Sequence, residues 1–506
     1  MILKLIKSNN FILLLSLTFL GILIHYPSFD LALYGDDWLF IYRYYTHFAP
    51  FAHTNNMLPG IFAYLAPYGP SIFLIGTEYQ IFGQKYFFYY FLCLIFRIFA
   101  SFALFLVSKK VTKSFVISLF VGILFLVGFT GIQTTDWVFF SNIYLAVGLF
   151  FVGLLFQISF FEDKQIKNLW IHFIFSFLAI LVAPVRLYPL VFTIPLTDLV
   201  LFSKEGFKNK KLILSKMAFF GLIITIFWLI GVFGGPWGKI YSPGGWTIKD
   251  FINFMEAQPY YTIKSFFYWI GTTFIPDSLI SNQIQVAFIG FGFVITSFLA
   301  TFRGKEKRLI ILSAITFLTF LLTMWFFSPG RLIGSADRYL LPTFASCCFL
   351  IGILVKSLSN TSTLLKYLGY LVLVILIIVH ASATRNIYSQ WLLKGRDASF
   401  ISMTDKIILT DFRNPQEIIQ PSKIYLDFDD GNIMQSVQFG LTFKIMILSK
   451  VYDLKYIPNV FNEKLVLINQ VAKEKKEFNN GIFGYQYKNN VFKNITVELR
   501  KELDNQ

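Results

Sequence analysis

Apolar stretches of membrane-spanning length recur along the first three quarters of this chain, and they leave it few folds to choose from. Eleven can be marked, at roughly 8–27, 86–108, 114–131, 139–161, 169–184, 187–203, 212–234, 283–302, 309–328, 339–357 and 367–383. Each is about 16–23 residues, near the ~20 that cross the hydrocarbon core as a helix. The fifth and sixth are separated only by Val185-Arg186, which predicts a tight helical hairpin or a partly re-entrant pair. The chain is 56% hydrophobic and only 14% charged, well below the roughly 25% of a soluble domain. The expected fold is therefore mainly α, a polytopic transmembrane helical bundle.

Charge placement predicts its sidedness. The net charge is +16, and Lys and Arg cluster in short loops at 109–113, 162–167, 204–211 and 303–308. Setting these in the cytoplasm, as the positive-inside bias requires, puts the N-terminus inside and Asp36-Asp37 outside. An odd number of spans then puts residues 384–506 outside as well. No basic stripe with interleaved aromatics lies beyond the membrane part, so nucleic acid is not an expected partner. Lys4 and Lys7 precede the first apolar run and no small-residue cleavage site follows, which reads as an uncleaved first span. Cys93, Cys347 and Cys348 all fall in expected spans and make neither a disulfide framework nor a metal-binding pattern. The abundance of Phe, Ile, Lys and Asn points to an AT-rich bacterial genome, hence to a multi-pass protein of the bacterial inner (plasma) membrane.

Two domains are expected. Residues 1–383 form the membrane domain, with long outer loops at 28–85 and 235–282. In the first loop, 38–48 and 71–82 read as short interfacial helices; Trp237, Trp246 and Trp269 in the second suit either anchoring or substrate lining. From 384 to 506 charges return and short strands alternate with helices, as in a small α/β domain. There 423–428 reads as a strand, 433–449 as a helix and 465–469 as a second strand.

The chemistry is expected at Tyr34-Gly35-Asp36-Asp37-Trp38, directly after the first span. Paired carboxylates are costly beside a bilayer and so point to function. Asp36 or Asp37 can take a proton from an attacking hydroxyl, because a partly dry site raises a carboxyl into a useful range. One of the two can also cap the following helix, a position Asp favours.

These residues resemble the GT-C superfamily of integral-membrane glycosyltransferases, in particular the protein O-mannosyltransferase and aminoarabinose-transferase branch. Asp36-Asp37-Trp38 is followed in order by Tyr68-Gly69-Pro70, Phe82-Gly83, a span containing Arg97, Thr135-Asp136-Trp137, and Asp337-Arg338-Tyr339-Leu340-Leu341-Pro342. The likeness covers roughly residues 1–383. It implies inverting transfer of a sugar from a polyprenyl-phosphate donor to an extracytoplasmic hydroxyl of a glycan, lipid or protein. Membrane lipid and lipid-linked sugar are then the partners. The leaving phosphate needs a cation. Arg338 is the first candidate, for its place at the outer face and the bidentate reach of Arg toward phosphate; Arg186 and Arg331 come next. Asp136 and Trp38 would support the acceptor or a metal. A divalent metal, if used, would draw on Asp37 and Asp136. Arg97, near the middle of a span, is expected to pair within the bundle. Asp427 and Asp429 fall on one side of a strand, as in some soluble metal sites, or form a plain acidic turn. Two alternatives stay open on sequence alone: a transporter or lipid flippase, and a noncatalytic cell-envelope assembly protein.

Overall fold

In the computed structural model the described residues are 9–48, 58–66, 68–187, 189–202, 210–233, 248–276, 278–280, 282–303, 306–327, 337–412, 422–474 and 481–504. Among them seven helices are long and apolar enough to cross a membrane. Every one of the eleven expected spans coincides with helix, although several helices stop short. Small residues let the helices approach, as packing within lipid requires. A side chain at Gly148 on the Asn142–Asp163 helix would strike the Phe99 ring and the Ala100 backbone of Phe87–Thr112.

One short helix decides where the functional residues end up. Phe115–Val127 has only 13 residues and closes inside the bundle at Gly128. Carbonyls freed there cannot turn to water, so side chains must meet them. Arg97 donates to the carbonyls of Phe125 and Gly128, and to the Tyr144 hydroxyl. His25 donates Nε2–H to Leu126 (2.9 Å) and Thr384 donates to Val127 (2.9 Å). His380 accepts the Phe129 N–H at 3.0 Å. The expected partner of Arg97 is thus a helix end. The early stop releases residues 128–141 as a non-spanning segment tucked into one end of the bundle, bringing Asp136 to the loop that follows the first span.

Two of the basic loops, 109–113 and 162–167, meet where Lys110 pairs with Glu162. A further ion pair is fully buried between spans: Lys216 Nζ meets Asp198 at 2.8 Å, and Gln157 also donates to that carboxylate. The expected fifth and sixth spans break at Ala183. The single turn Pro184–Leu187, which carries Arg186, separates Ile166–Val182 from Leu190–Phe202.

The last long helix, Thr363–Trp391, runs beyond residue 383 and ends in a turn at Gly395, whose φ is +80°. The C-terminal sheet has the order β2-β1-β3-β4, with β1 Lys423–Phe428, β2 Asn459–Phe461, β3 Ile482–Lys488 and β4 Val491–Asn494. β1 runs parallel to β2 and β3, and β4 closes antiparallel on β3. Two sequence expectations change. The helix expected over 433–449 is two, Gly431–Gln438 and Leu441–Leu448, divided at Gly440 with φ +93°. The strand expected at 465–469 is part of the helix Lys464–Glu474; Leu467 and Val471, four apart, bury one helical face.

This domain is not a detached appendage. Leu441–Leu448 packs on the Asp36–His47 helix. Tyr42 donates to the Tyr452 carbonyl at 2.7 Å, and Tyr45 stacks on Tyr452 at 5.5 Å. Lys444 pairs with Asp405 out of solvent, its ammonium 4.8 Å from the Trp38 ring. Burial pushes the Asp405 carboxyl up and Lys444 holds it back. Lys444→Met should therefore lower stability by about 3–5 kcal/mol at neutral pH, the usual penalty for orphaning a buried charge. Below its raised titration point Asp405 takes up a proton and the orphaned charge vanishes. The drop in thermal midpoint should accordingly be smaller at pH 5 than at pH 8.

Candidate active site

Gly35 sits at the N-cap of Asp36–His47 with φ +56°, so the capping role expected for Asp36 falls to glycine and Asp36 opens the first turn. The tight turn aims the Tyr34 N–H at Asp37 Oδ2 (3.0 Å), while Asp37 Oδ1 accepts the Phe139 N–H (3.0 Å). Asp37 is 0% exposed. Its burial raises the carboxyl to about 7, against the opposing pull of those two amides and of the Arg396 charge. Asp36 is different. It is half-buried, and burial raises its carboxyl while Arg338 and Arg43 counter the rise. Of the expected pair, Asp37 is locked to backbone and Asp36 is the one that can be reached.

The segment that follows the short helix supplies the rest. Asp136 is ion-paired to Arg396, whose guanidinium also donates to the Asp136 carbonyl at 3.3 Å. The Trp137 ring lies 3.8 Å from the Arg338 guanidinium carbon. Phe139 gives its N–H to Asp37 and stacks on Phe40 at 3.9 Å. Phe140 stands 5.1 Å from Arg186 and 5.8 Å from Arg338. One run of residues, 136–140, thus touches both halves of the expected site.

Arg186 and Arg338 converge on Tyr339, their guanidinium carbons 3.8 and 5.2 Å from its ring centre. Arg338 Nη2 also contacts the Tyr339 hydroxyl at 3.4 Å. Nε and Nη2 of Arg186, and Nε and Nη1 of Arg338, are buried with no hydrogen-bond partner among the described residues. Two cations so placed, each with buried donors that lack a partner among the described residues, are suited to receive an anion. Arg331 lies outside the described residues.

Trp38 is buried, donates to the Leu33 carbonyl at 3.3 Å and packs edge-on to Tyr79. A divalent cation does not fit the residues expected to hold it. Both oxygens of Asp37 are taken by backbone N–H groups and Asp136 is engaged by Arg396. No group of three His, Cys, Asp or Glu side chains comes together for a metal among the described residues. Asp427 accepts from Gln486 and Lys488, and Asp429 accepts the Asn489 N–H at 3.2 Å, so both acids of the turn have structural work.

Sequence reasoning missed two members. Arg396 is separated from Asp136 by 260 positions, and no local pattern marks it. Glu78 is buried on Gly69–Phe82, both its oxygens without a partner among the described residues, and burial followed by the nearby Asp37 charge raises its carboxyl well above the usual range. A signal for Glu78 existed: it is the lone acid of an otherwise uncharged helix, GPSIFLIGTEYQIF.

No family model matches this chain, and no curated protein matches it. Among solved structures it is similar to the crystal structure of ArnT from Cupriavidus metallidurans bound to undecaprenyl phosphate. The TM-score is 0.48 and the identity 11%, over 94% of this chain and 92% of that one. The chain is a membrane protein with a helical polytopic body and a small C-terminal sheet.

Proposed function

We propose that the protein is a membrane glycosyltransferase that moves a sugar from a polyprenyl-phosphate donor to a hydroxyl on the extracytoplasmic side. The observation that carries this reading is the joining, through residues 136–140, of a reachable carboxylate and two guanidiniums that each keep buried N–H groups without a partner among the described residues. Asp36 takes the proton from the acceptor hydroxyl. The acceptor oxygen bonds to the anomeric carbon, and the bond from that carbon to the phosphate oxygen breaks. The electron pair leaves with the phosphate, whose new charge Arg186 and Arg338 neutralise. A single displacement inverts the anomeric centre. Buried Arg186 helps the departing phosphate more than a solvated arginine would, since its charge is little screened. The ordered motifs that resemble GT-C enzymes support the same assignment.

Purified protein in nanodiscs, given a panel of polyprenyl-phosphate sugars and an envelope extract as acceptor, should release free polyprenyl phosphate from at least one donor. Release that persists undiminished in Asp36→Asn would refute the assignment of the base. Sidedness is tested separately: alkaline phosphatase fused after residue 506 should be active in a bacterial host, and a cytoplasmic C-terminus would leave it inactive.

A further inference from the structure

Arg396 lies just past the last long helix and is almost fully buried. It touches two of the segments that frame the site, the one leading into Asp36-Asp37 and the one that carries Asp136. Its guanidinium pairs with the Asp136 side chain and donates to the Asp136 carbonyl. The same guanidinium carbon stands 4.2 Å from the Tyr34 ring centre. Its own carbonyl accepts the Ala32 N–H at 2.9 Å, and the next residue, Asp397, bridges Leu31 in antiparallel fashion. Asp397 then caps the following helix, Ala398–Thr410, by accepting from Ser399 and Phe400. A single residue therefore holds the strand leading into Asp36-Asp37 against the run 136–140.

We propose that Arg396 is a positioning residue of the site, which fixes the Asp36-Asp37 turn and the Asp136 segment in one frame by sharing its charge between Asp136 and Asp37. The proposal rests on the transferase reading only for its purpose; the frame itself exists without it. Several ionisable groups face Asp37. Asp36 adjoins it, Glu78 comes from Gly69–Phe82, and Tyr89, Tyr90 and Cys93 come from Phe87–Thr112. Behind Trp38, Lys444 is neutralised by Asp405. Arg396 is the cation whose charge bears on Asp37 in this set. Taking Arg396 away should favour the protonated Asp37, and taking away its competitor Asp136 should favour the ionised one. A side chain that merely filled space would move neither.

The test uses full-length protein in detergent and pH-difference infrared spectroscopy. The protonated-carboxyl band of Asp37 is identified by its loss in Asp37→Asn. In the natural protein that band should disappear as pH rises through about 7. In Arg396→Met its midpoint should move up by at least one pH unit, and in Asp136→Asn it should move down. An unchanged midpoint in either folded variant overturns the proposal. Should Arg396→Met not fold, Asp136→Asn decides alone: a fall supports the shared charge, and no change or a rise refutes it. No donor or acceptor enters this measurement, so it can fail while the transferase reading stands, and the reverse.

Discussion

Asp36→Asn is expected to slow sugar transfer by about 10²–10⁴-fold, the usual contribution of a general base, without loss of folding or of polyprenyl-phosphate binding. The reason is geometric. Among the described residues no backbone group is hydrogen-bonded to the Asp36 side chain, and an amide of the same shape leaves the Gly35 turn alone. Asp37→Asn should behave differently. Its two oxygens accept from Tyr34 and Phe139, and an amide has one acceptor oxygen to offer. One buried N–H is then left facing an amide NH₂, a loss of about 1–3 kcal/mol. Thermal stability and activity should fall together in that variant, whereas in Asp36→Asn activity alone should fall. The pH dependence follows from the same assignment. A base works in its ionised form, so transfer should decline as pH drops through the Asp36 midpoint, about tenfold per pH unit below it. Burial sets that midpoint above the ordinary carboxylate range.

Replacing both arginines, Arg186→Ala with Arg338→Ala, is expected to abolish measurable binding of undecaprenyl phosphate, read by native mass spectrometry from nanodiscs. Charge-assisted hydrogen bonds contribute roughly 1.5–3 kcal/mol each, so either single variant should weaken binding by about 10–100-fold. Arg→Lys should rescue poorly. Lysine lacks the planar fork that lets Arg186 and Arg338 lie against Tyr339 while their remaining N–H groups stay free. Binding retained at full strength in the double variant would remove these residues from the donor site.

Much of the architecture was legible in the sequence because apolar length is a local property. All eleven expected spans are helical, and 423–428 is a strand at the residues expected. What escaped reading depended on contacts between distant segments. The run Leu465–Asn469 is apolar enough for a strand, yet the buried pair Leu467 and Val471 makes it a helix. Asp136 stands out in the sequence as an acid beside Trp137, but its partner Arg396 is brought to it only by the folding of the short helix Phe115–Val127 and the last long helix. The Asp36-Asp37 pair was visible as a pair; which acid is locked and which is reachable came from the hydrogen bonds of Tyr34 and Phe139. Arg186 was noticed for breaking two spans, and the break is what frees it to meet Arg338.

The position of the lipid phosphate relative to Arg186, Arg338 and Asp36 decides the proposed mechanism. A cryo-electron microscopy map of the protein in nanodiscs with undecaprenyl phosphate tests this most directly. Phosphate density bridging the two guanidiniums beside Tyr339, with the Asp36 carboxyl facing the same space, is the predicted result. Density elsewhere, with both guanidiniums still unoccupied, would contradict it.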